Sequence, residues 1–188
     1  MAASAYGFAR MVRCVTVSPE LLAEYEVKRW YAAYTRANHE KRVTEQMAQR
    51  EVQYFLATYP SVRRWKDRRK TLELPLFPGY VFVRICLRDR LKILQIPGVA
   101  RLVGFEGKPV ALPEAEIEAL RFGLERGMRA EPHPFLTVGR RVRIRSGPLS
   151  GMEGILTQRK RNYRVVLSIH LIQKSVAVEV DLADVECA

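Results

Sequence analysis

From Tyr80 to Ile85 the chain alternates, with Val81, Val83 and Ile85 falling on one side and Tyr80, Phe82 and Arg84 on the other. Successive side chains of a strand point to opposite faces. The run therefore predicts a strand with an aliphatic face for the core and an aromatic face that ends in a charge. Phe77-Pro78-Gly79, just before it, predicts a turn that pushes Phe77 outward. An aromatic second face has two readings: a docking surface for another protein, or a layer covered by a helix of the same chain. Earlier, Trp30–Arg36 reads as a strand. Asn38 then offers a cap, with Glu40 in the first turn of a helix running from about His39 to Arg50. Val43 and Met47 share one face of that helix, while Lys41, Arg42, Gln46, Gln49 and Arg50 line the other. Val52–Tyr59 reads as a second strand, and Leu72–Leu74 leads into the aromatic one. Asp89 is placed to cap a short helix containing Leu91 and Leu94. Pro97-Gly98 turns the chain, Ala100–Phe105 returns as a strand, and Glu106-Gly107-Lys108 is a turn. Pro113 opens a helix whose apolar stripe is Ile117, Leu120 and Leu124, and Gly127 ends it.

Beyond that helix the pattern changes. Pro132, His133 and Pro134 lie in a polar stretch that reads as a linker, and no helical period follows. Arg141–Arg145 alternates charge with valine and isoleucine. Gly154–Thr157, Tyr163–Ile169 and Ser175–Val180 follow, each bounded by turn residues, which predicts a small five-stranded β-barrel. The expected organisation is an α+β chain: a variable or disordered extension over 1–28, an α/β sandwich with an antiparallel sheet over 29–127, a linker over 128–137 and the barrel over 138–188. The glycine-rich loop Gly147-Pro148-Leu149-Ser150-Gly151-Met152-Glu153-Gly154 presents Leu149 and Met152 as its large apolar residues, either as lids on the barrel or as contacts.

Charge sharpens this picture. Lys and Arg number 32 against 20 Asp and Glu in 188 residues, a formal charge of +12, which favours polyanionic partners. The excess is clustered at Arg63, Arg64, Lys66, Arg68, Arg69 and Lys70, a hairpin or loop with Trp65 at its centre. Cys14, Cys86 and Cys187 are dispersed without a CxxC, and His39, His133 and His170 show no ligand spacing, so neither a disulfide framework, a zinc site nor a cofactor is expected. A reducing cytoplasm fits, and no apolar run approaches a membrane span. No nucleophile–base set or carboxylate pair stands out, and Gly107-Lys108 lacks the rest of a phosphate loop. The chain reads as a binding protein rather than an enzyme.

Val138–Ile144 running into the loop GPLSGMEG resembles the KOW motif of NusG-type transcription elongation factors. Trp30–Arg36, Leu76–Val83 (LFPGYVFV) and Pro97-Gly98-Val99 resemble the amino-terminal NGN domain of the same family. The resemblance covers about Arg29 to Glu186, and the order of the domains agrees.

The resemblance implies an NGN sandwich followed by an SH3-like KOW barrel, in a factor that docks on the clamp helices of RNA polymerase. The matching positions are Tyr34, Phe77, Pro78, Tyr80 and Phe82. Bridging the cleft then holds the clamp closed, which suppresses pausing and termination without making or breaking a bond. Arg36, Gln49 and Arg50 are placed to face the non-template DNA strand or nascent RNA near the bubble. The run from Arg63 to Lys70 is placed to track phosphates, with Trp65 to stack on a base. The KOW barrel of such factors recruits a second partner, a ribosomal protein or the termination factor Rho, here through Leu149, Met152 and Ile169. Two departures from the housekeeping pattern put that partner in doubt: Leu149 stands where an aromatic is usual, and Leu171-Ile172-Gln173-Lys174-Ser175-Val176 replaces a loop of the type Phe-Gly-Arg-x-Thr-Pro. They point to a specialised paralogue that acts at particular operons, and a monomer is expected. The alternative is a ribosomal or ribosome-assembly protein that binds RNA through a basic barrel, since Arg140, Arg141, Arg143, Arg145, Arg159, Lys160, Arg161 and Arg164 all lie there.

Overall fold

A computed structural model describes residues 25–65, 68–133, 139–159, 162–181 and 184–188. The first half is built on a four-stranded sheet ordered β2-β5-β1-β6, from β1 (Arg29–Thr35), β2 (Gln53–Phe55), β5 (Tyr80–Ile85) and β6 (Val99–Leu102). Strand β5 runs antiparallel to β1 with Ala33 opposite Val81, Ala32 opposite Phe82 and Tyr34 opposite Tyr80. The predicted alternation holds. Tyr31, Ala33, Val81, Val83 and Ile85 form one buried layer under helix α1 (Glu40–Gln49), which contributes Val43 and Met47, and helix α2 (Arg90–Leu94), which contributes Ile93. Trp30, Ala32 and Phe82 form the opposite layer under α3 (Glu114–Glu125), which contributes Ile117 and Leu120. The indole N–H of Trp30 donates to Glu118 Oε1 at 3.2 Å, tying α3 to the sheet.

Several local expectations change. Asn38 is not the helix cap: it sits at φ +61°, and His39 precedes the first helical residue. In α2 the buried residue is Ile93, whereas Leu91 and Leu94 are exposed. The strand expected over Val52–Tyr59 divides into β2 and the start of β3 (Thr58–Trp65). Strand β3 pairs with β4 (Arg68–Pro75) in a separate hairpin. The return strand after Gly98 likewise divides into β6 and β7 (Gly104–Phe105), the latter paired with β8 (Lys108–Pro109).

The second half is a six-stranded antiparallel sheet ordered β14-β10-β11-β12-β13-β9. Its strands are β9 (Ala130–His133), β10 (Arg140–Ile144), β11 (Glu153–Arg159), β12 (Asn162–Ile169), β13 (Lys174–Val180) and β14 (Val185–Cys187). Part of the stretch that reads as a linker is thus a strand, β9, which pairs with β13. Cross-strand rows such as Val165 opposite Val178 and Leu167 opposite Val176 place the aliphatic side chains on a common face. No helix among the described residues is long and apolar enough to cross a membrane.

Candidate functional site

The turn before β5 is held from three directions. Gly79 adopts φ +83°, a left-handed conformation that favours glycine. Its N–H donates to Glu40 Oε1 at 2.7 Å, and its carbonyl accepts from the Thr35 N–H at 2.8 Å. Leu76 N–H donates to the Ala57 carbonyl at 2.8 Å. A Cβ on Gly79 would stand 3.3 Å from the Tyr34 ring, so the glycine lets the turn lie against that ring. The buried Glu40, expected to serve the helix dipole, fixes the aromatic turn instead, a role only the tertiary structure reveals.

The five aromatic-face positions separate in consequence. Tyr34 is 39% exposed and Pro78 is exposed, and Tyr80 is half-buried. The Tyr34 and Tyr80 rings lie 5.3 Å apart, and the Arg101 guanidinium sits 5.5 Å from the Tyr34 ring centre. Burial, and then the Tyr34 phenol beside it, push the Tyr80 hydroxyl pKa upward. Phe82, 0% exposed, is a core residue stacked on Phe55 at 6.0 Å. Phe77 meets Phe82 edge-on at 5.5 Å and is 1% exposed, so its predicted outward placement does not hold in this arrangement.

Phe77 also faces the second domain across a cavity. A cavity of about 520 Å³ lies between the halves, lined on one side by Phe77, Glu116 and Leu120 and on the other by Met152, Ile169 and Val176. Leu149 is 3% exposed and reaches α3 at Gly123, where an added Cβ would lie 3.6 Å from Leu149 Cδ2. The three residues singled out as barrel contacts, Leu149, Met152 and Ile169, therefore all belong to this junction. The loop that carries Leu149 and Met152 is closed by Gly151 N–H to the Ile144 carbonyl at 2.8 Å. The segment that departs from the housekeeping pattern turns inward as well: Ile172, Ser175 and Val176 are buried, with Gln173 at φ +49°.

Among the basic candidates, Arg36 and Gln49 are exposed on the sheet end and on α1. Arg50 donates from Nη1 to the Lys92 carbonyl at 2.9 Å, which fixes it along the body. The β3–β4 ladder sets Arg63 opposite Lys70, Arg64 opposite Arg69 and Trp65 opposite Arg68, so two successive rungs pair basic residues in register. Lys70 is exposed; Lys66 and the side chains of Arg63, Arg64, Trp65, Arg68 and Arg69 lie outside the described residues. In the second domain three of the arginines are paired internally, while Arg140 and Arg141 are exposed. Arg143 pairs with Glu153 at 2.5 Å, Arg145 with Glu186 at 3.6 Å, and Arg164 with Glu131 at 2.7 Å and Glu179 at 3.0 Å. These pairs hold the Arg143 and Arg164 pKa values up and the Glu153 pKa down. Of the other basic-barrel residues, Lys160, Arg161 and the Arg159 side chain lie outside the described residues. No cluster of His, Cys, Asp and Glu suited to a metal is found among the described residues.

An α+β domain with an aromatic turn, joined to a β domain whose own contact residues meet it, defines a two-domain binding protein. Residues 28–121 match the family model described as transcription termination factor NusG, and the chain belongs to the NusG family of transcription termination and antitermination factors, non-enzymatic proteins that act with RNA polymerase. Among its relatives, the transcription termination/antitermination protein NusG of Lactococcus lactis is 29% identical over 171 residues, 84% of this chain and 91% of that protein. The Staphylococcus aureus Mu50 counterpart is 29% identical over 181 residues, 87% of this chain and 97% of its own length. The Escherichia coli O6:H1 counterpart is 25% identical over 182 residues, covering 89% of this chain and all 100% of that protein. A solved structure described as "Domain interaction in Thermotoga maritima NusG" superposes with a TM-score of 0.56 at 23% identity, covering 85% of this chain and 97% of that one, which supports the fold.

Proposed function

We propose that this factor docks on the clamp helices of RNA polymerase through Tyr34, Phe77, Pro78, Tyr80 and Phe82, suppresses pausing and termination, and is held closed by its own KOW domain until it docks. The observation that carries the reading is Phe77: a large apolar ring on a rigid turn, 1% exposed and lining a cavity whose other wall is the second domain. Tyr34, Pro78 and Tyr80 form the accessible rim, and Phe77 together with the cavity beside it is the ground a partner would gain on opening. A few such aromatic anchors each supply about 2 kcal/mol or more of an interface. Phe82 acts beneath the surface, holding Phe77 in place.

The same junction covers Leu149 and Ile169, so a ribosomal protein or Rho would also reach the barrel only after opening. Of the positions that depart from the housekeeping pattern, Leu149, Ile172, Ser175 and Val176 are buried, with Val176 on the cavity wall, while Gln173 and Lys174 are exposed. The departures from the housekeeping pattern themselves are what favour a specialised, operon-specific role. Once docked, Arg36, Gln49 and the basic hairpin would follow the non-template strand. The rival reading, RNA binding by a basic barrel, is weakened by the pairing of Arg143, Arg145 and Arg164 with carboxylates.

Phe77→Ala combined with Tyr80→Ala tests the docking face. The double variant is expected to keep its far-ultraviolet circular dichroism and to lose co-purification with RNA polymerase from cell extract. A folded double variant that retains polymerase would remove the docking role.

A further inference from the structure

The cavity between the domains carries more than apolar walls. Its volume, about 520 Å³, is that of a small-molecule site, typically about 300–1,000 Å³. Phe77, Leu120, Met152, Leu167, Ile169 and Val176 give it an apolar lining. The ionisable groups that face it are Glu116 from α3, Glu153 from β11 and His170 at the end of β12, with no lysine or arginine among them. In a chain of net charge +12, a cavity whose lining includes two carboxylates and no lysine or arginine runs against the bulk field, although Arg143 reaches one of them from outside the lining. Glu153 is occupied by Arg143 at 2.5 Å. Glu116 lines the apolar space, and burial pushes its pKa upward, with His170 opposing that shift. A half-buried carboxylate on the wall of a cavity otherwise lined largely by apolar side chains is an arrangement that recognises an ammonium group with an apolar body.

We propose that this interdomain cavity binds a small organic amine, its aryl or short-alkyl body against Phe77, Leu120, Ile169 and Val176 and its ammonium group on Glu116. Because residues of both domains line the cavity, the amine binds the closed molecule and not the open one. The proposal rests on the closed arrangement described above and deepens it: an amine of this class raises the barrier to polymerase docking by favouring the closed state.

Titration calorimetry of the full chain with 4-phenylbutylamine, and with 4-phenylbutan-1-ol as its neutral counterpart, tests the proposal, with small-angle scattering reporting domain closure in the same samples. The amine is expected to bind about tenfold more tightly than the alcohol, a charge-assisted contact set against a neutral one. Glu116→Gln is expected to abolish that preference while leaving weak binding of both compounds. Equal binding of amine and alcohol to the natural chain overturns the proposal, as does a preference that survives Glu116→Gln. A compact molecule that binds neither compound at millimolar concentration overturns this proposal alone. An extended molecule that binds neither overturns it together with the closed arrangement.

Discussion

Glu116 and Glu40 show how burial assigns different work to two carboxylates at helix starts. Glu40, buried, accepts from the Gly79 N–H at 2.7 Å and fixes the aromatic turn. Glu116 is half-buried on the domain junction, and its pKa is raised first by desolvation. A carboxyl whose folded pKa lies above its unfolded value contributes full stability below the ordinary carboxylate range. That stability is lost as pH rises through the unfolded and then the folded pKa. Glu116→Gln removes the loss. The variant is therefore expected to exceed the natural chain in urea midpoint at neutral pH, with the advantage vanishing below pH ~4. An advantage that stays constant with pH would contradict the assignment. At this level the sequence is partly legible. The alternation of Val81, Phe82 and Val83 reveals both faces of β5, because strand period is a local property. The partner of Glu40 stays hidden, because Gly79 lies 39 residues away along the chain.

Whole elements explain the larger differences. β9 reads as a linker because it contains Pro132, yet it is an edge strand paired only with β13, where a missing N–H can face outward. Arg164 secures it, with one nitrogen on Glu131 of β9 and another on Glu179 of β13. Arg164→Met is expected to speed amide exchange over residues 130–133 while leaving β1 and β5 protected. Unchanged protection of β9 would show that the ion pairs do not hold it. In α2, five residues are too few to establish an apolar stripe, so the pattern alone does not single out Ile93 as the buried residue. The β3–β4 hairpin is legible as a basic element, and its register adds two successive rungs that pair basic residues. Replacing Arg63, Arg64, Arg68 and Arg69 with glutamine should lower the slope of log affinity against log salt for single-stranded DNA by about 0.7 for each phosphate no longer neutralised. An unchanged slope would exclude the hairpin from nucleic-acid binding.

Over the whole molecule, the structure sets Phe77 and α3 across a cavity from Met152, Ile169 and Val176 of the second domain, with Leu149 at Gly123 of α3. No local pattern carries that information, because the junction joins residues as distant as Phe77 and Val176 through side chains that either domain alone could leave in water. Leu149, inserted at Gly123 of α3, is the residue whose replacement should open the molecule with least damage to either fold. For a factor whose docking-competent state is a minor population, apparent affinity falls by that fraction, and freeing the state restores it. The direct measurement is the dissociation constant of the full chain for RNA polymerase, compared between the natural protein and Leu149→Glu. Burying a charge at that position should favour the open form, so the variant is expected to bind polymerase about tenfold or more tightly. A folded Leu149→Glu variant with unchanged or weaker affinity would contradict the claim that the KOW domain masks the docking face.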